Sequence, residues 1–585
     1  MIPVQKGEAL IHDAAEGHWL YFRNPLAVYS TTVHSEIPSL IRYIHKRVCS
    51  ERLYAAGFIS YDASPGFDKA LPASQEVKTP LLSFSLYEAP EIIKELHFES
   101  SEKDNKELKW TPCISKDEYN KGFSAVKEYI RTGHSYQVNY TYRLEAEFNG
   151  DPRDLFCRMQ RAQNASYGAY LDYGDMVVAS ASPELFFSLN GDRIMTKPMK
   201  GTAPRGMTTK EDRKIAQEFY HSEKNRAENM MIVDMIRNDL GRIARSGTVR
   251  VPRLFEIEKY PTLWQMTTEV HAQTDAEIPE ILENLFPCAS ITGAPKYRTM
   301  EIIKELESTA RGLYTGSIGY WGPHRRAQFN VAIRTAMMNR NEQTARYGTG
   351  GGVVWDSTME GEYEESLTKT GILSRKERVF SLLETLKWTK EDGFILLERH
   401  IKRLEESADY FDYPCRTGDI KKALEKTSGS FRGEEAQRVR LLLDRDGEIH
   451  IEAQPLNEQD SKGLRTLKRA DYPMSSRNPF LFHKTTEREI YKNLLKENPD
   501  YDDVLLWNEQ GEITESCIAN IVLVLKGIHY TPPVSCGLLA GTMRQEMLEQ
   551  GVLKERVVKA AEIAEADEIY LINSVRGIMR VNYSE

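Results

Sequence analysis

Several residues in this chain could make or break bonds if the fold carried them to a cleft. The stretch TKPMKGTAPR places Lys200 between an extended, proline-containing run and a Gly-Thr turn. In water such a lysine is an inert ammonium; partly buried beside another cation it loses its proton and becomes a nucleophile. Glu184, in SASPELFF, lies sixteen positions earlier, and a carboxyl kept protonated by its surroundings is a general acid. Glu228 (NRAENMM) and Glu365 (GEYEESLTKT) belong to two separate helical patterns, and Glu362, Glu365 and Lys369 fall at i, i+3 and i+7 on one helix face. Two glutamates from different helices are the usual protein share of a Mg²⁺ site, with waters and an anionic substrate filling the octahedron. Farther on come Lys484 (LFHKTTEREIY), Glu515 (GEITESCIANIVL) and Thr542 at a helix start (LAGTMRQEML). Each also has a plain reading, as a surface lysine, a solvated acid or a helix cap.

The elements that must position these groups are partly readable. Residues 1 to about 110 mix short apolar runs with turn residues, as a sheet with some helix would. SKDEYNKGFSAVKEYIRTG has helical spacing at Tyr119, Phe123, Val126 and Ile130, with Ser115 as cap and Gly133 as stop. SYQVNYTYRLEAEF alternates as a strand does, and SEKNRAENMMIVDMIRNDLGRIA predicts a helix whose apolar face runs through Met231, Met235 and Ile243. Strands are expected in GLYTGSIGYWG, AQFNVAIRTAMM and RYGTGGGVVWD, then a helix from about Gly361. Near residue 375 the pattern restarts: a strand (RVFSLLETLKW), a turn at Glu391-Asp392-Gly393, a helix (LLERHIKRLEESADYF) and further strands. This places a domain boundary at 370–378, without a Pro/Gly/Ser-rich linker.

At 585 residues the chain is too long for one core. Its 41% hydrophobic and 28% charged residues are those of a globular protein. A net charge of −9 with interspersed signs argues against a nucleic-acid surface, and no apolar run approaches the ~20 residues of a membrane span. The start lacks the basic-then-apolar order of a secretory signal, and seven scattered cysteines without a CxxC pair suggest reduced thiols, hence a cytoplasmic setting.

Seven motifs in order, SYQVNYTYRLE, SASPELFF, TKPMKGTAPR, NRAENMMIVDMIRNDLGR, SITGAPK, AIRTA and GTGGGVVWDSTMEGEYEESLTK, resemble the chorismate-binding enzymes over residues 1–372. GTGGG lacks the Gly-Lys-Ser/Thr ending of a nucleotide loop. The resemblance implies Mg²⁺ held by Glu228 and Glu365 against the ring carboxylate of chorismate. It also implies substrate contacts at Thr292, Gly293, Tyr314, Arg334, Gly348, Gly350 and Lys369. Anthranilate synthases typically carry Ala at the centre of the P-x-K-G-T motif; the 4-amino-4-deoxychorismate synthases carry Lys, as here at Lys200. Its implied role is to attack C2 of the ring as the C4 hydroxyl leaves, protonated by Glu184, after which ammonia attacks C4 and expels the lysine. Gln137 stands where isochorismate synthases carry a lysine base, and a neutral amide suits ammonia, which needs no activation. Thr267 stands where many relatives have His. Cys288 falls inside a family motif without a Cys-His-Glu context, so ammonia is expected from a separate glutamine amidotransferase subunit.

The second set of motifs, with ERHIKRLEESA upstream and the ending NSVRG, resembles the fold-type IV pyridoxal-phosphate enzymes over residues 378–585 and leans toward the 4-amino-4-deoxychorismate lyases. It implies Lys484 as the lysine that bonds to the cofactor and later serves as base, and Glu515 as partner of the pyridine nitrogen. Arg403, Thr542, Met543 and Ser574 would hold the phosphate, and Thr385 would relay the proton during pyruvate loss. Aminotransferase relatives commonly have Tyr where Glu489 stands, with Tyr491 nearby. Relatives of this half usually form homodimers.

The fold class expected is therefore mixed α+β and α/β: an N-terminal α/β sandwich with large antiparallel sheets, then a fold-type IV domain. The function implied is synthesis of p-aminobenzoate from chorismate in two steps, with Mg²⁺ and pyridoxal 5′-phosphate. The rivals are an anthranilate synthase-like half fused to a branched-chain or D-amino-acid aminotransferase, and a non-catalytic scaffold docking an amidotransferase.

Overall fold

A computed structural model describes residues 4–74, 79–94, 96, 108–373, 378–456 and 464–584. By contacts the chain divides into two compact units, one of Met1–Pro204 and Ala216–Glu377, the other of Arg205–Ile215 and Arg378–Glu585. The short stretch Arg205–Ile215 thus groups with the second unit, although chain order puts it among the motifs of the first. Of the boundary expected at 370–378, residues 374–377 lie outside the described residues.

The first unit holds two ten-stranded antiparallel sheets. Ala9, Ile11 and Phe22 of one sheet and Ala56, Phe58, Ile318 and Tyr320 of the other share a core, so the sheets stack face to face. The helices Ile37–Glu51, Glu223–Gly241 and Ile278–Leu285 pack on the outer face of one sheet, and Lys116–Arg131, Pro152–Gln163 and Lys296–Leu306 on that of the other. With both faces covered, strands such as Tyr167–Asp172 are buried at every position, which explains their unbroken apolar runs. The helix Lys116–Arg131 begins as its sequence predicts: Ser115 Oγ accepts from the Glu118 N–H at 3.2 Å and the Glu118 carboxylate accepts from the Ser115 N–H at 2.7 Å.

Three expectations are corrected. In Glu223–Gly241 the buried stripe runs through Ile232, Val233, Ile236 and Leu240, with Met231 and Met235 only half-buried beside it; branched side chains took the seam and the methionines its flank. AQFNVAIRTAMM is two strands, Arg326–Val331 in one sheet and Thr335–Asn339 in the other. The chain crosses between sheets at 332–334, where Arg334 takes the left-handed conformation at φ 52°, and an unbroken apolar pattern conceals such a crossing. Lys200 lies in a strand, Met199–Pro204, not at a turn. That strand pairs Met199 with Thr267 and Thr202 with Gln265, leaving one extra residue in a bulge at Lys200-Gly201, and a bulge re-aims the side chains it carries.

The strands Gln137–Glu147 and Thr344–Val353 pair along their length, setting Gly348, Gly350 and Gly352 opposite Arg143, Thr141 and Asn139. Alternate residues share a face, so the three glycines leave a bare strip roughly 13 Å long beside the Gln137 side chain.

The second unit contains a four-stranded antiparallel sheet and an eight-stranded mixed sheet. The strand Leu382–Thr389, the helix Leu397–Phe411 and the helix Thr542–Glu549 carry most of the groups of interest. Among the described residues no helix is long and apolar enough to cross a membrane.

Candidate active sites

In the first unit, Lys200 Nζ lies at one end of the glycine strip. A Cβ at position 352 would collide with Lys200 Nζ and come 2.9 Å from Gln137 Nε2. Gln137 is fully buried, and neither its amide nitrogen nor its oxygen has a partner among the described residues. An unpartnered buried amide is costly, so this one is poised for a ligand. Glu184 is 3% exposed and its Oε1 likewise has no partner. Burial pushes its pKa up to about 7, against the opposing pull of Ser290, the Met199 N–H and the Lys200 charge. A lysine, a half-protonated acid and a neutral amide are therefore gathered in one place.

Next to them, Lys369 Nζ donates to the Gly350 carbonyl at 2.9 Å and pairs with Glu365 at 2.8 Å. Arg334 donates to the Lys369 carbonyl. Glu362, whose Oε1 accepts from Ser357 Oγ at 2.6 Å, has its pKa raised by burial and by the charge of Glu365, whereas Lys369 lowers that of Glu365. Glu228 is half-buried on the helix Glu223–Gly241, one turn beyond Asn225, which abuts Gly201. No hydrogen bond or ion pair ties Glu228 to the other groups among the described residues. No cluster of three or more His, Cys, Asp or Glu that could hold a metal is found there either. Lys369, Lys200 and Arg334 offset the charge of Glu362 and Glu365 in this structure, and what the two carboxylates offer a hard cation is their oxygen donors, with substrate and water to complete its shell.

At the other end of the strip a Cβ at Gly348 would strike the Tyr314 ring. Tyr314 and Gly348 also line a cavity of about 540 Å³, whose wall includes Arg143 and Arg311. Both guanidiniums are buried and held by Glu307, at 2.9 and 2.7 Å. Thr292 is buried with its hydroxyl on the Ala289 carbonyl, and a Cβ at Gly293, whose φ is +143°, would strike the Gln137 carbonyl. Thr267 donates to Glu258 at 3.2 Å. Cys288 is buried, and burial raises its thiol pKa to about 12, which keeps it from acting as a thiolate.

In the second unit, Thr385, Arg403, Lys484, Glu515, Thr542, Met543 and Ser574 all line one cavity of about 440 Å³. Burial and the nearby charges of Arg403 and Arg488 bring the Lys484 pKa down to about 7, against Glu384 and Glu515. Burial pushes Glu515 up to about 7; it accepts from Tyr491 Oη at 2.9 Å, the Leu539 N–H at 3.2 Å and Asn520 Nδ2 at 3.3 Å. The Thr542 and Met543 N–H groups open the helix Thr542–Glu549 with no protein acceptor among the described residues, so they are free for an anion. A half-uncharged amine, a buried carboxyl and a cup of donors are the set that pyridoxal phosphate needs. The chemistry of these residues fits that cofactor.

Sequence reasoning missed several members of these sites. Glu384 and His400 underlie the donor cup, and Tyr491 positions Glu515 rather than following the lysine at the aminotransferase spacing; Glu362, whose place on the helix face of Glu365 was legible, shares the acidic corner. Only the HIKR run around His400 and Arg403 offered a signal for any of the first three.

Residues 8–375 match the model of the family described as chorismate binding enzyme. The chain belongs to that family. Residues 381–583 match a second family, amino-transferase class IV. Aminodeoxychorismate synthase component 1 of Bacillus subtilis (strain 168) is 40% identical over 264 residues, 45% of this chain and 56% of that protein. Anthranilate synthase component 1 3 of Haloarcula marismortui is 40% identical over 250 residues, 42% of this chain and 49% of that protein. The chain thus spans about half the length of these curated relatives. The crystal structure of anthranilate synthase component I from Streptococcus pneumoniae TIGR4 shares the fold of the first unit, with a TM-score of 0.53 at 23% identity over 64% of this chain and 94% of that one.

The setting of Gly352 yields a sharp test. Gly352→Ala adds one methyl where Lys200 Nζ rests, and that flexible side chain can retreat. The variant should fold with near-native stability yet lose any activity that depends on Lys200 roughly 100-fold, the usual result of misplacing a reacting atom by about 1 Å. Steady-state rates beside thermal melts check this.

Proposed function

We propose that the first unit aminates chorismate at C4 and that the second removes pyruvate from the product, leaving 4-aminobenzoate. The observation that carries the reading is Lys200 seated on Gly352 between the unpartnered amide of Gln137 and the buried carboxyl of Glu184. Relatives named for either amination product match at equal identity, so overall similarity does not choose between them; the lysine does. Its amine attacks ring C2, the two ring double bonds shift from C1=C2 and C5=C6 to C1=C6 and C4=C5, and the C4 hydroxyl leaves as water with the Glu184 proton, since hydroxide is a poor leaving group. Ammonia then attacks C4, both double bonds return to their first positions, and Lys200 departs from C2 with the bonding pair. Glu228 and Glu365 would hold Mg²⁺, which would orient the ring carboxylate; Arg334, Tyr314 and the Gly350 region would receive the other. The ammonia would come from a separate glutamine amidotransferase subunit.

In the second unit, pyridoxal phosphate supplies a conjugated ring that draws electrons from the bonded substrate. Glu515 keeps a proton on the ring nitrogen. Lys484 Nζ takes the proton from the carbon bearing the amine, and Thr385 Oγ1 hands one to the departing enolpyruvyl group. All seven cysteines are free thiols, in keeping with a reducing cytoplasm.

The deciding experiment supplies chorismate, Mg²⁺ and ammonium to the full-length protein, with and without pyridoxal phosphate. The expected products are 4-aminobenzoate and pyruvate with the cofactor and the aminated intermediate without it. Anthranilate would overturn the assignment, and the absence of any conversion would favour the scaffold.

Glu184 adds a pH test. Its carboxyl, moved from 4.5 to about 7 by folding, binds its proton more tightly folded than unfolded. That contribution is fully present below pH 4.5 and lost as pH rises through about 7. Glu184→Gln should therefore melt like the wild type at pH 4 but be more stable at pH 8, by up to about 3 kcal/mol. Amination by the wild type should fall above pH 7, and the variant should lose roughly 100-fold or more at every pH. Equal stabilities at pH 8 would show that the carboxyl is not held as described.

A further inference from the structure

Beneath the donor cup of the second unit lies a buried histidine that the mechanism above does not use. His400 is 1% exposed. Its Nδ1 is 2.6 Å from Glu384 Oε2, and its Nε2 is 3.0 Å from Ser574 Oγ and 3.3 Å from Thr542 Oγ1. Glu384 also accepts from Arg403 Nε and Nη2, at 2.8 and 2.7 Å. One histidine thus touches both hydroxyls that the cofactor reading assigns to the phosphate.

The proton count on this chain is constrained. Arg403 and His400 hold the Glu384 carboxyl down at about 2 although burial alone would raise it, so at working pH Glu384 only accepts and Nδ1 must carry a proton. In a neutral ring Nε2 is then a bare lone pair that takes the proton of one hydroxyl. A phosphate also only accepts, so that hydroxyl would be turned away from it. A doubly protonated ring reverses the arrangement: Nε2–H donates to the hydroxyl oxygens, and both hydroxyl protons are released toward the anion.

We propose that His400 takes up a proton when a phosphate group binds, and thereby sets Ser574 and Thr542 to donate together. His400 is a positioning residue acting through those two side chains. The charges agree. Glu384, on the strand Leu382–Thr389, is balanced by Arg403 on the helix of His400 itself, so a third charge on the buried imidazole is disfavoured by burial, by Arg403 and by Lys484. A phosphate dianion above the ring removes that disadvantage. Affinity for the phosphate and protonation of His400 are then linked. This rests on reading the second unit as a pyridoxal-phosphate site.

The test uses the full-length chain freed of cofactor. Titration with pyridoxal 5′-phosphate at pH 8, by calorimetry in buffers of different ionisation enthalpy, counts the protons absorbed. The wild type should take up about one proton more than His400→Asn, whose amide cannot titrate. In the wild type, ¹⁵N-histidine spectra should show one Nε2 passing from bare to protonated on binding, and this measurement decides the matter should the variant fail to fold. Equal proton uptake, or an Nε2 that stays bare with the cofactor's absorbance present, overturns the proposal alone. Absence of any cofactor binding overturns the reading of the second unit as well.

Discussion

Lys484→Ala should stop release of 4-aminobenzoate and let the aminated intermediate accumulate, with a loss of at least about 10⁴-fold in the second step. The size of the effect follows from the double duty of one nitrogen. Uncharged for half of the population near pH 7, Lys484 can bond to an aldehyde carbon, which an ordinary lysine at its model value of 10.5 does only rarely at that pH. Once displaced it is also free to act as a base in the cavity that it lines. Removing it removes both roles, whereas Arg403, the Thr542 and Met543 N–H groups and Glu515 remain. The variant should still bind the phosphate but lack the visible absorbance of the lysine-linked cofactor. Chromatography of products and an absorbance scan check the two halves of this expectation. Continued 4-aminobenzoate formation at near-native rates would remove Lys484 from the mechanism.

Lys200→Ala should abolish amination of chorismate, again by about 10⁴-fold or more, while leaving untouched the elimination from supplied aminated intermediate. Lys200→Arg separates a nucleophile from a mere positive charge. Arginine keeps the charge and much of the length but is never deprotonated, so it should be as inactive as alanine. If the ammonium served only to attract carboxylates, arginine would retain much of the rate, and the covalent route would be abandoned. Intact-protein mass after brief exposure to chorismate without ammonium gives a second readout: the wild type should carry a covalent adduct and both variants none.

Much of the local structure was legible because it depends on near neighbours. The capping box at Ser115 and Glu118 is a four-residue event, and the helix it starts follows. Most proposed site residues could also be named, since Lys200, Glu365 and Lys484 lie in compact runs. The bulge at Lys200-Gly201 could not be read, because it is defined by the strand Leu263–Gln273, some sixty residues away. The same holds for Arg334, whose position at the crossing between sheets depends on which sheet each neighbouring strand joins. Glu384 and His400 were passed over because a buried carboxylate looks, in sequence, like any polar residue in a strand; only its pairing with Arg403 and His400 makes it tolerable.

By itself the sequence determined the families, the order of the two halves and the residue types available for chemistry, all carried by short runs whose spacing is covalent. Only the tertiary structure decided what those residues are in solution terms. Lys484, Glu184 and Glu515 have pKa values near 7 because distant segments exclude water from them. Exclusion of water belongs to the packed volume around a group rather than to its neighbours along the chain.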